Sequence, residues 1–393
     1  MIDLLNNVLH KKKKLAIGLM SGTSADGIDA CLIEIEGNYT DTKIKLIDFI
    51  TLDYTSKEKE RLLKLCNVNT STVSEICYMN TYLGNKMGQA ALEVCKKVNI
   101  NINYVDYISS HGQTIFHMPD EHSTLQIGEL SNIAALTGCI TVGDFRPSDM
   151  AYGGQGAPLV PYVDYILFSD KNKGRILLNL GGIANITVLK AGGKEEDVLA
   201  YDTGPANVLV DEIVRIITDG RKSFDEGGKM ALKGSIDDQW LDEILTRDKY
   251  LLKKPPKSTG REYYTKEFAM NLYEQGIKRN LDNMSILATI TAYTAKSVKN
   301  QIDAFVLDKY KIDELYVSGG GAHNQMIMKL LSEYMEADVM DVENLGFPGD
   351  AKESIAFAVL GNEFLCGKTN NIPNSTGSKR KVIMGKLALP SLY

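Results

Sequence analysis

Three short turns rich in glycine and hydroxyl side chains stand where strands are expected to end: Gly22-Thr23-Ser24, Asp202-Thr203-Gly204 and Gly319-Gly320-Gly321. Without a Cβ in the way, backbone N–H groups in such turns approach phosphate oxygens closely, and α/β proteins gather their ligands at strand ends. Three together point to a nucleotide, although each alone is also an ordinary tight turn. None fits GxxxxGK[ST], and no GxGxxG opens a helix after a strand, so both the P-loop and the dinucleotide fingerprints are missing. Asp26, Asp29 and Asp202 lie on or beside these turns. A carboxylate near a phosphate is repelled unless it holds Mg²⁺ or takes a proton from a nucleophile, which leaves metal partner and general base as its chemical roles. The alternatives are that Asp26 favours its turn and that Asp202 caps a helix starting at Pro205. His111 and His323 each follow a strand in a polar loop, where hydrogen bonding or loop bracing is expected rather than catalysis.

Such groups need elements to hold them. Lys14 to Met20 and Ile28 to Glu36 are short apolar, β-branched runs joined by the turn Ser21 to Gly27, a strand–loop–strand unit. A third strand, Lys43 to Tyr54, precedes a helix opened by Thr55-x-x-Glu58, and Thr72-x-x-Glu75 opens a longer helix to about Val98 with one apolar stripe. Val105 to Ser110 and Cys139 to Phe145 read as further strands. Strands alternating with helices favour a mostly parallel α/β sheet. The Gly- and Pro-dense stretch from Arg146 to Pro161 is a candidate domain junction or active-site loop. Beyond it the plan restarts: Arg175 to Leu180, a glycine turn and Ile186 to Lys190 repeat the opening hairpin, a hint of duplication. The expected organisation is a first α/β domain over 15–145 plus about 367–393, a second over 146–366, and a flexible leader over 1–14.

Composition narrows the classes. The chain has 393 residues, 44 % hydrophobic and 24 % charged, which is globular. Its 44 Lys and Arg against 50 Asp and Glu give a formal charge of -6, which disfavours nucleic acid as a partner. No apolar run reaches the roughly 20 residues of a membrane span. The run after Lys11 to Lys14 is too short for a signal-peptide core, so a cytoplasmic protein is expected. The six cysteines show no CxxC pairing, so they are expected to be reduced and mostly buried.

The stretch Gly22-Thr23-Ser24-Ala25-Asp26-Gly27-Ile28-Asp29 is followed in order by SHGQT, GDFR, GGQGAPLVP, NLGGIANIT, DTGP, SGGGAHN and GDAKE. From about Lys14 to the C-terminal region this set resembles the anhydro-N-acetylmuramic acid kinase family. The resemblance implies two similar actin-like (ribonuclease H-like) α/β domains with an ATP cleft between them, and a homodimer. It implies a reaction in which ATP and water convert 1,6-anhydro-N-acetylmuramate to N-acetylmuramate 6-phosphate and ADP, in peptidoglycan recycling. Asp202 would be the base acting on water, Glu353 a second acid near sugar and water, and Arg146 a substrate contact. The planar fork of an arginine suits the lactyl carboxylate of muramate. Gly22, Thr23, Ser24, Ala25, Asp26, Gly27, Ile28 and Asp29 would hold the ATP phosphates, with Asp26 and Asp29 toward Mg²⁺. Gly204 would join the nucleotide site, and Gly319, Gly320 and Gly321 would border the adenosine. Ala206 stands where the family usually has Gly, a change that a helix start accommodates. A kinase for another sugar would keep the phosphate turns but not Arg146, Asp202 and Glu353 together. A nucleotide switch that turns over no sugar is the alternative from another class.

Overall fold

The computed structural model describes residues 2–391, the side chains of 2–4 excepted. The chain divides into two compact units, Met1–Leu167 with Ala351–Tyr393, and Phe168–Asp350.

In the first unit β1 (Lys13–Ser21), β2 (Gly27–Glu36) and β3 (Lys43–Asp53) form an antiparallel meander. β4 (Tyr107–Met118) runs parallel to β1 and carries the short β5 (Ser123–Ile127) on its far end, and β6 (Ile140–Gly143) runs parallel to β4. The helices here are α1 (Ile2–His10), α2 (Ser56–Leu65), α3 (Val73–Lys97), α4 (Leu130–Thr137), α5 (Arg146–Ala151) and α6 (Val160–Phe168). Both helix starts proposed from hydroxyl caps are present: Thr55 and Glu58 form a reciprocal capping box, and the Thr72 hydroxyl accepts the Glu75 N–H. The apolar stripe of α3, including Leu83, Met87 and Val94, packs in one core with Ile17, Leu19 and Ile28.

In the second unit β7 (Arg175–Leu180), β8 (Ile183–Leu189) and β9 (Leu199–Pro205) form another antiparallel meander, with β10 (Glu314–Ser318) parallel to β7 and β11 (Asp338–Asp341) parallel to β10. Its helices are α7 (Asn207–Ile217), α8 (Asp238–Arg247), α9 (Lys266–Lys278), α10 (Asn283–Phe305) and α11 (Gln325–Tyr334). The middle of α10, from Ser285 to Ala295, is buried throughout, and it organises the core around Trp240, Tyr264 and Tyr293. The chain then returns to the first unit as α12 (Lys352–Leu365), α13 (Pro373–Thr376) and β12 (Lys386–Ala388), the last antiparallel to β6.

The strand orders β6-β4-β1-β2-β3 and β11-β10-β7-β8-β9 are the same plan twice, so the duplication hinted by the two hairpins is a duplication of topology. Each unit therefore carries the same mixed α/β sheet. Gly18 shows why α12 belongs to the first unit: a Cβ there would lie 1.9 Å from the Ser354 carbonyl oxygen, so only glycine in β1 lets the helix seat so closely.

Several expectations are corrected. The sheets are mixed rather than mostly parallel, because each opens with a three-stranded meander before the crossover strands. The chain enters the second unit at 168, not 146, and leaves it at 350, not 366, since α5, α6 and α12 stay with the first sheet. The leader is not a solvated end: α1 buries Val8, Lys13 and Lys14 already pair with β2, and Lys11 is ion-paired to Asp106. Its first residue and the chain's last two lie outside the described residues. Pro205 closes β9, and α7 starts only at Asn207, so Asp202 caps no helix. Of the cysteines, Cys31, Cys95 and Cys139 are buried but Cys66 and Cys77 are exposed, all of them free thiols. Among the described residues no helix is long and apolar enough to cross a membrane.

Candidate active site

In the first unit the β1–β2 turn is held from below. The Ser21 hydroxyl, buried, donates to Gln113 Oε1 at 2.6 Å and accepts from Tyr54 at 2.9 Å, while Gln113 Nε2 donates to the Gly22 carbonyl at 3.2 Å. The turn closes with Ala25 N–H on the Gly22 carbonyl at 3.1 Å, Ala25 standing at φ +50°. Thr23 and Ser24 are left exposed at its tip. Ala25 and Ile28 point their side chains into the core, which leaves only their backbones for any contact at the turn. Asp26 is ion-paired with Lys59. Asp29, on β2, accepts the Thr51 hydroxyl at 2.6 Å from β3.

Arg146 opens α5 directly after β6, and three of its hydrogen bonds fix it. Nε and Nη2 both donate to His111 Nε2, at 3.1 and 3.0 Å, and Nη1 donates to the Gly156 carbonyl at 2.7 Å. Gly156 is placed by Asp149, a fully buried carboxylate that accepts its N–H at 2.9 Å and also accepts Asn371 Nδ2 and the Thr376 hydroxyl, both at 2.8 Å. The Gly- and Pro-dense segment is thus tied to the C-terminal return of the chain. Burial pulls the Arg146 guanidinium down to about 10, against the charge of Glu353, which favours it. Glu353 reaches solvent at the start of α12, yet the protein packed about it and then the charge of Asp29 raise its pKa, opposed by Lys352 and Arg146. Arg146, Glu353 and Asp29 therefore share one electrostatic neighbourhood.

In the second unit Asp202 sits in β9 opposite Asn185. Its Oδ2 accepts the Thr259 N–H at 2.8 Å, its carbonyl accepts the Tyr250 hydroxyl at 2.8 Å, and its own N–H reaches the Lys257 carbonyl at 3.2 Å. Burial pushes the carboxyl up to about 6, helped by the charge of Glu262 and resisted by the Thr259 N–H and Lys257. A half-buried carboxyl with that pKa is matched to accepting a proton near neutral pH. Gly204, two residues on, faces Ser297 on α10, where a Cβ would lie 3.1 Å from the hydroxyl.

Gly319 ends β10 at φ +80°, where a Cβ would meet Asn179 Oδ1 at 2.6 Å and the Leu180 carbonyl oxygen at 2.8 Å. Gly321 is pressed as closely against Leu180. Gly320 and His323 face outward and, with Asn207, Asp211, Arg215 and Phe224, border a cavity of about 480 Å³. That is the size of a small-ligand cleft, with an aromatic ring and polar groups at its edge.

Among the described residues no three His, Cys, Asp or Glu side chains gather as a metal cage. Mg²⁺ does not require one, because waters and phosphates complete its shell around one or two carboxylates. Asp29 beside Glu353 fits that need, since like charges press on each other there. Asp26 is drawn to Lys59 instead.

A family model described as anhydro-N-acetylmuramic acid kinase matches residues 14–390. The chain belongs to the anhydro-N-acetylmuramic acid kinase family. It is 43 % identical over 397 residues to the anhydro-N-acetylmuramic acid kinase of Caldanaerobacter subterraneus subsp. tengcongensis, covering 99 % of this chain and 100 % of that one. The kinase of Clostridioides difficile is 42 % identical, with 95 % of this chain and 97 % of the relative covered. That of Bacillus cereus (strain Q1) is 40 % identical, with 95 % and 99 % covered.

Against the sequence reading of the family's residues, the structure brings Arg146, Glu353 and Asp29 into one neighbourhood. Of the three glycines after β10 only Gly320 lines the cavity, Gly319 and Gly321 being packed against Asn179 and Leu180 behind it. Two groups of partners escaped that reading. The loop 250–262 supplies every group that tunes Asp202, and its only sequence signal is the punctuation Pro255-Pro256 and Ser258-Thr259-Gly260. His111 and Gly156 hold Arg146 from 35 residues before it and 10 after it, which no local pattern reveals.

Proposed function

We propose that this protein, an enzyme of the anhydro-N-acetylmuramic acid kinase family, hydrolyses the 1,6-anhydro bond of 1,6-anhydro-N-acetylmuramate and phosphorylates O6. The products are N-acetylmuramate 6-phosphate and ADP. O6 is tied to C1 in that sugar, so no free 6-hydroxyl awaits the phosphoryl group. Water must bond to C1 while the C1–O6 bond breaks, O6 takes the γ-phosphoryl group, and ADP leaves. The water's proton goes to Asp202. The observation that carries this reading is the Asp202 carboxyl itself, braced on the Thr259 N–H and held near a pKa of about 6, ionised enough at neutral pH to receive a proton.

Arg146 accepts the role of anchoring the lactyl carboxylate, because its planar guanidinium is locked in place and still carries free N–H donors. Glu353 faces the same sugar and orients water. The backbone from Gly22 to Asp29 cradles the phosphates, with the Thr23 and Ser24 hydroxyls at its tip; Asp29 with Glu353 would hold Mg²⁺, which would supply charge neutralisation on the transferring phosphoryl group. The cavity beside Gly320 and His323 takes the adenosine. A cytoplasmic location, a place in peptidoglycan recycling and a homodimer complete the proposal.

The test is ADP release with 1,6-anhydro-N-acetylmuramate beside N-acetylmuramate, N-acetylglucosamine and glucose, for wild type and Asp202→Asn. Turnover confined to the anhydro sugar and lost in the variant is expected. Turnover on glucose would make this a simple hexose kinase, and none on any sugar would favour a nucleotide switch.

A further inference from the structure

An arginine has five N–H donors in a fixed plane, and the bonds of Arg146 account for three of them. The side-on edge, Nε and Nη2, is closed by a single acceptor, His111 Nε2, and one Nη1 hydrogen goes to the Gly156 carbonyl. Two hydrogens remain, one on each terminal nitrogen, and both are open to the oxygens of a carboxylate.

His111 can close that edge only as a neutral ring protonated on Nδ1. Its Nδ1 lies 3.0 Å from the Gly112 carbonyl oxygen, where it donates, and this leaves Nε2 as a lone-pair acceptor facing Arg146. Gly112 sits at φ +77°, and a Cβ there would lie 2.8 Å from the Ile127 carbonyl oxygen, so the backbone that supplies the acceptor requires glycine. Phe357 of α12 packs on the imidazole with ring centres 4.7 Å apart and removes its freedom to rotate. The charged group bonded to the ring is Arg146, and Glu129, Asp144 and Lys386 line the cavity that His111 borders. Burial and then the Arg146 charge hold the ring neutral, its pKa lowered to about 3.

We infer that His111 is a positioning residue: by closing one edge of Arg146 it directs the two remaining donors at the carboxylate of the substrate, and so sets the preference for an acidic anhydro sugar over its carboxylate-free counterpart. This rests on the reading that Arg146 contacts the sugar. Glycine and phenylalanine around the ring are then part of the specificity device, although none of them touches the substrate.

The experiment compares steady-state kinetics on 1,6-anhydro-N-acetylmuramate and on 1,6-anhydro-N-acetylglucosamine, which lacks the lactyl group. The variants are His111→Leu, His111→Gln, Arg146→Lys and the double variant His111→Leu/Arg146→Lys. His111→Leu is expected to raise KM for the muramate sugar about 10- to 100-fold, to leave KM for ATP within twofold, and to change kcat/KM for the carboxylate-free sugar less than threefold. His111→Gln, whose side-chain oxygen can accept both N–H groups, is expected to recover most of the lost preference. If His111 acts through Arg146, the double variant is no worse than Arg146→Lys alone. Equal losses on both sugars, or additive losses in the double variant, would reduce His111 to a packing role and overturn the inference. If Arg146→Lys alone harms both sugars equally, the reading of Arg146 as the carboxylate contact falls, and the inference with it. Should His111→Leu fail to fold, His111→Gln and the Arg146→Lys comparison still decide: a His111→Gln enzyme that has lost its sugar preference while keeping kcat overturns the proposed acceptor role.

Discussion

Asp202→Asn separates the chemistry of the carboxyl from its effect on the fold. The side chain keeps an oxygen that can accept the Thr259 N–H, so the loop 250–262 stays docked, while the charge disappears. In the folded protein the Asp202 pKa stands at about 6 against a reference of 3.8, roughly two units, so ionising it costs the native state more than the unfolded chain. At 1.36 kcal/mol per unit this would be about 3 kcal/mol, and discounting for partial solvent access leaves about 1–3 kcal/mol. The sign follows from the raised pKa: the penalty is absent below about pH 4, where both states are protonated, grows between about 4 and 6, and is complete above about 6. Asp202→Asn is therefore expected to raise the melting temperature by several degrees at pH 8 and by less at pH 5. Its kcat on the anhydro sugar is expected to fall about 10²- to 10⁴-fold, the usual contribution of a general base. In wild type kcat/KM should decline tenfold per pH unit below about 6, and in Glu353→Gln whatever activity remains should keep that limb. Thermal unfolding and kinetics from pH 5 to 9 check all of this. A variant destabilised at pH 8, or one stabilised equally at both pH values, would refute the strained carboxyl, and one retaining a tenth of kcat would refute the base.

Gly319→Ala forces a Cβ against Asn179 and Leu180 at a positive φ; a loss of about 1–3 kcal/mol and a KM for ATP raised at least tenfold are expected, read by thermal melts and ATP titration. An unchanged ATP KM would detach this turn from the nucleotide. Tyr250→Phe removes the hydroxyl that donates to the Asp202 carbonyl, and should cost about 0.5–1.5 kcal/mol and lower kcat severalfold with little effect on KM for ATP; unaltered kcat would mean the loop holds Asp202 without it. Burial pushes the thiols of Cys31, Cys95 and Cys139 up to about 11, so a thiol reagent at pH 7.5 should label exposed Cys77 first and Cys66 more slowly. Rapid labelling of any of the three buried cysteines, read by peptide mass mapping, would contradict the packing of these cores.

What could be read in the sequence was local. Thr55 with Glu58 and Thr72 with Glu75 lie three residues apart, and capping needs nothing farther away. The two hairpins each bring their own glycine turn, so the duplicated plan was visible without knowledge of either sheet. Pro205 misled because its fixed φ suits the end of a strand as well as the first turn of a helix, and only β8 as a neighbour decides for the strand. The segment from Arg146 to Pro161 carried the composition of a junction, yet Asp149 ties it to Asn371 and Thr376 more than 200 residues away. A buried hydrogen-bond network of that span leaves no periodic trace.

The duplication also places a carboxyl in two different settings on one plan. Near the turn of the first meander Asp29 on β2 stands opposite Thr51 on β3, and near the turn of the second Asn185 on β8 stands opposite Asp202 on β9. The carboxylate has changed strands, and its environment has changed with it. Asp29 is bonded by a hydroxyl and pushes on Glu353, an arrangement that a divalent cation would relieve. Asp202 has no cationic side chain bonded to its carboxylate; it accepts one backbone N–H and sits among Tyr250, Lys257 and Glu262, where burial rather than pairing governs its proton. Exchanging the residues within a pair, Asn185→Asp with Asp202→Asn, would move a carboxylate to the strand position Asp29 holds in the first sheet. Because the Thr259 N–H reaches the β9 position, that double variant should keep its fold yet lose the acid limb near pH 6 along with turnover. Turnover retained with the limb intact would mean that the β9 position, and the loop bonded to it, is not what makes this carboxyl a base.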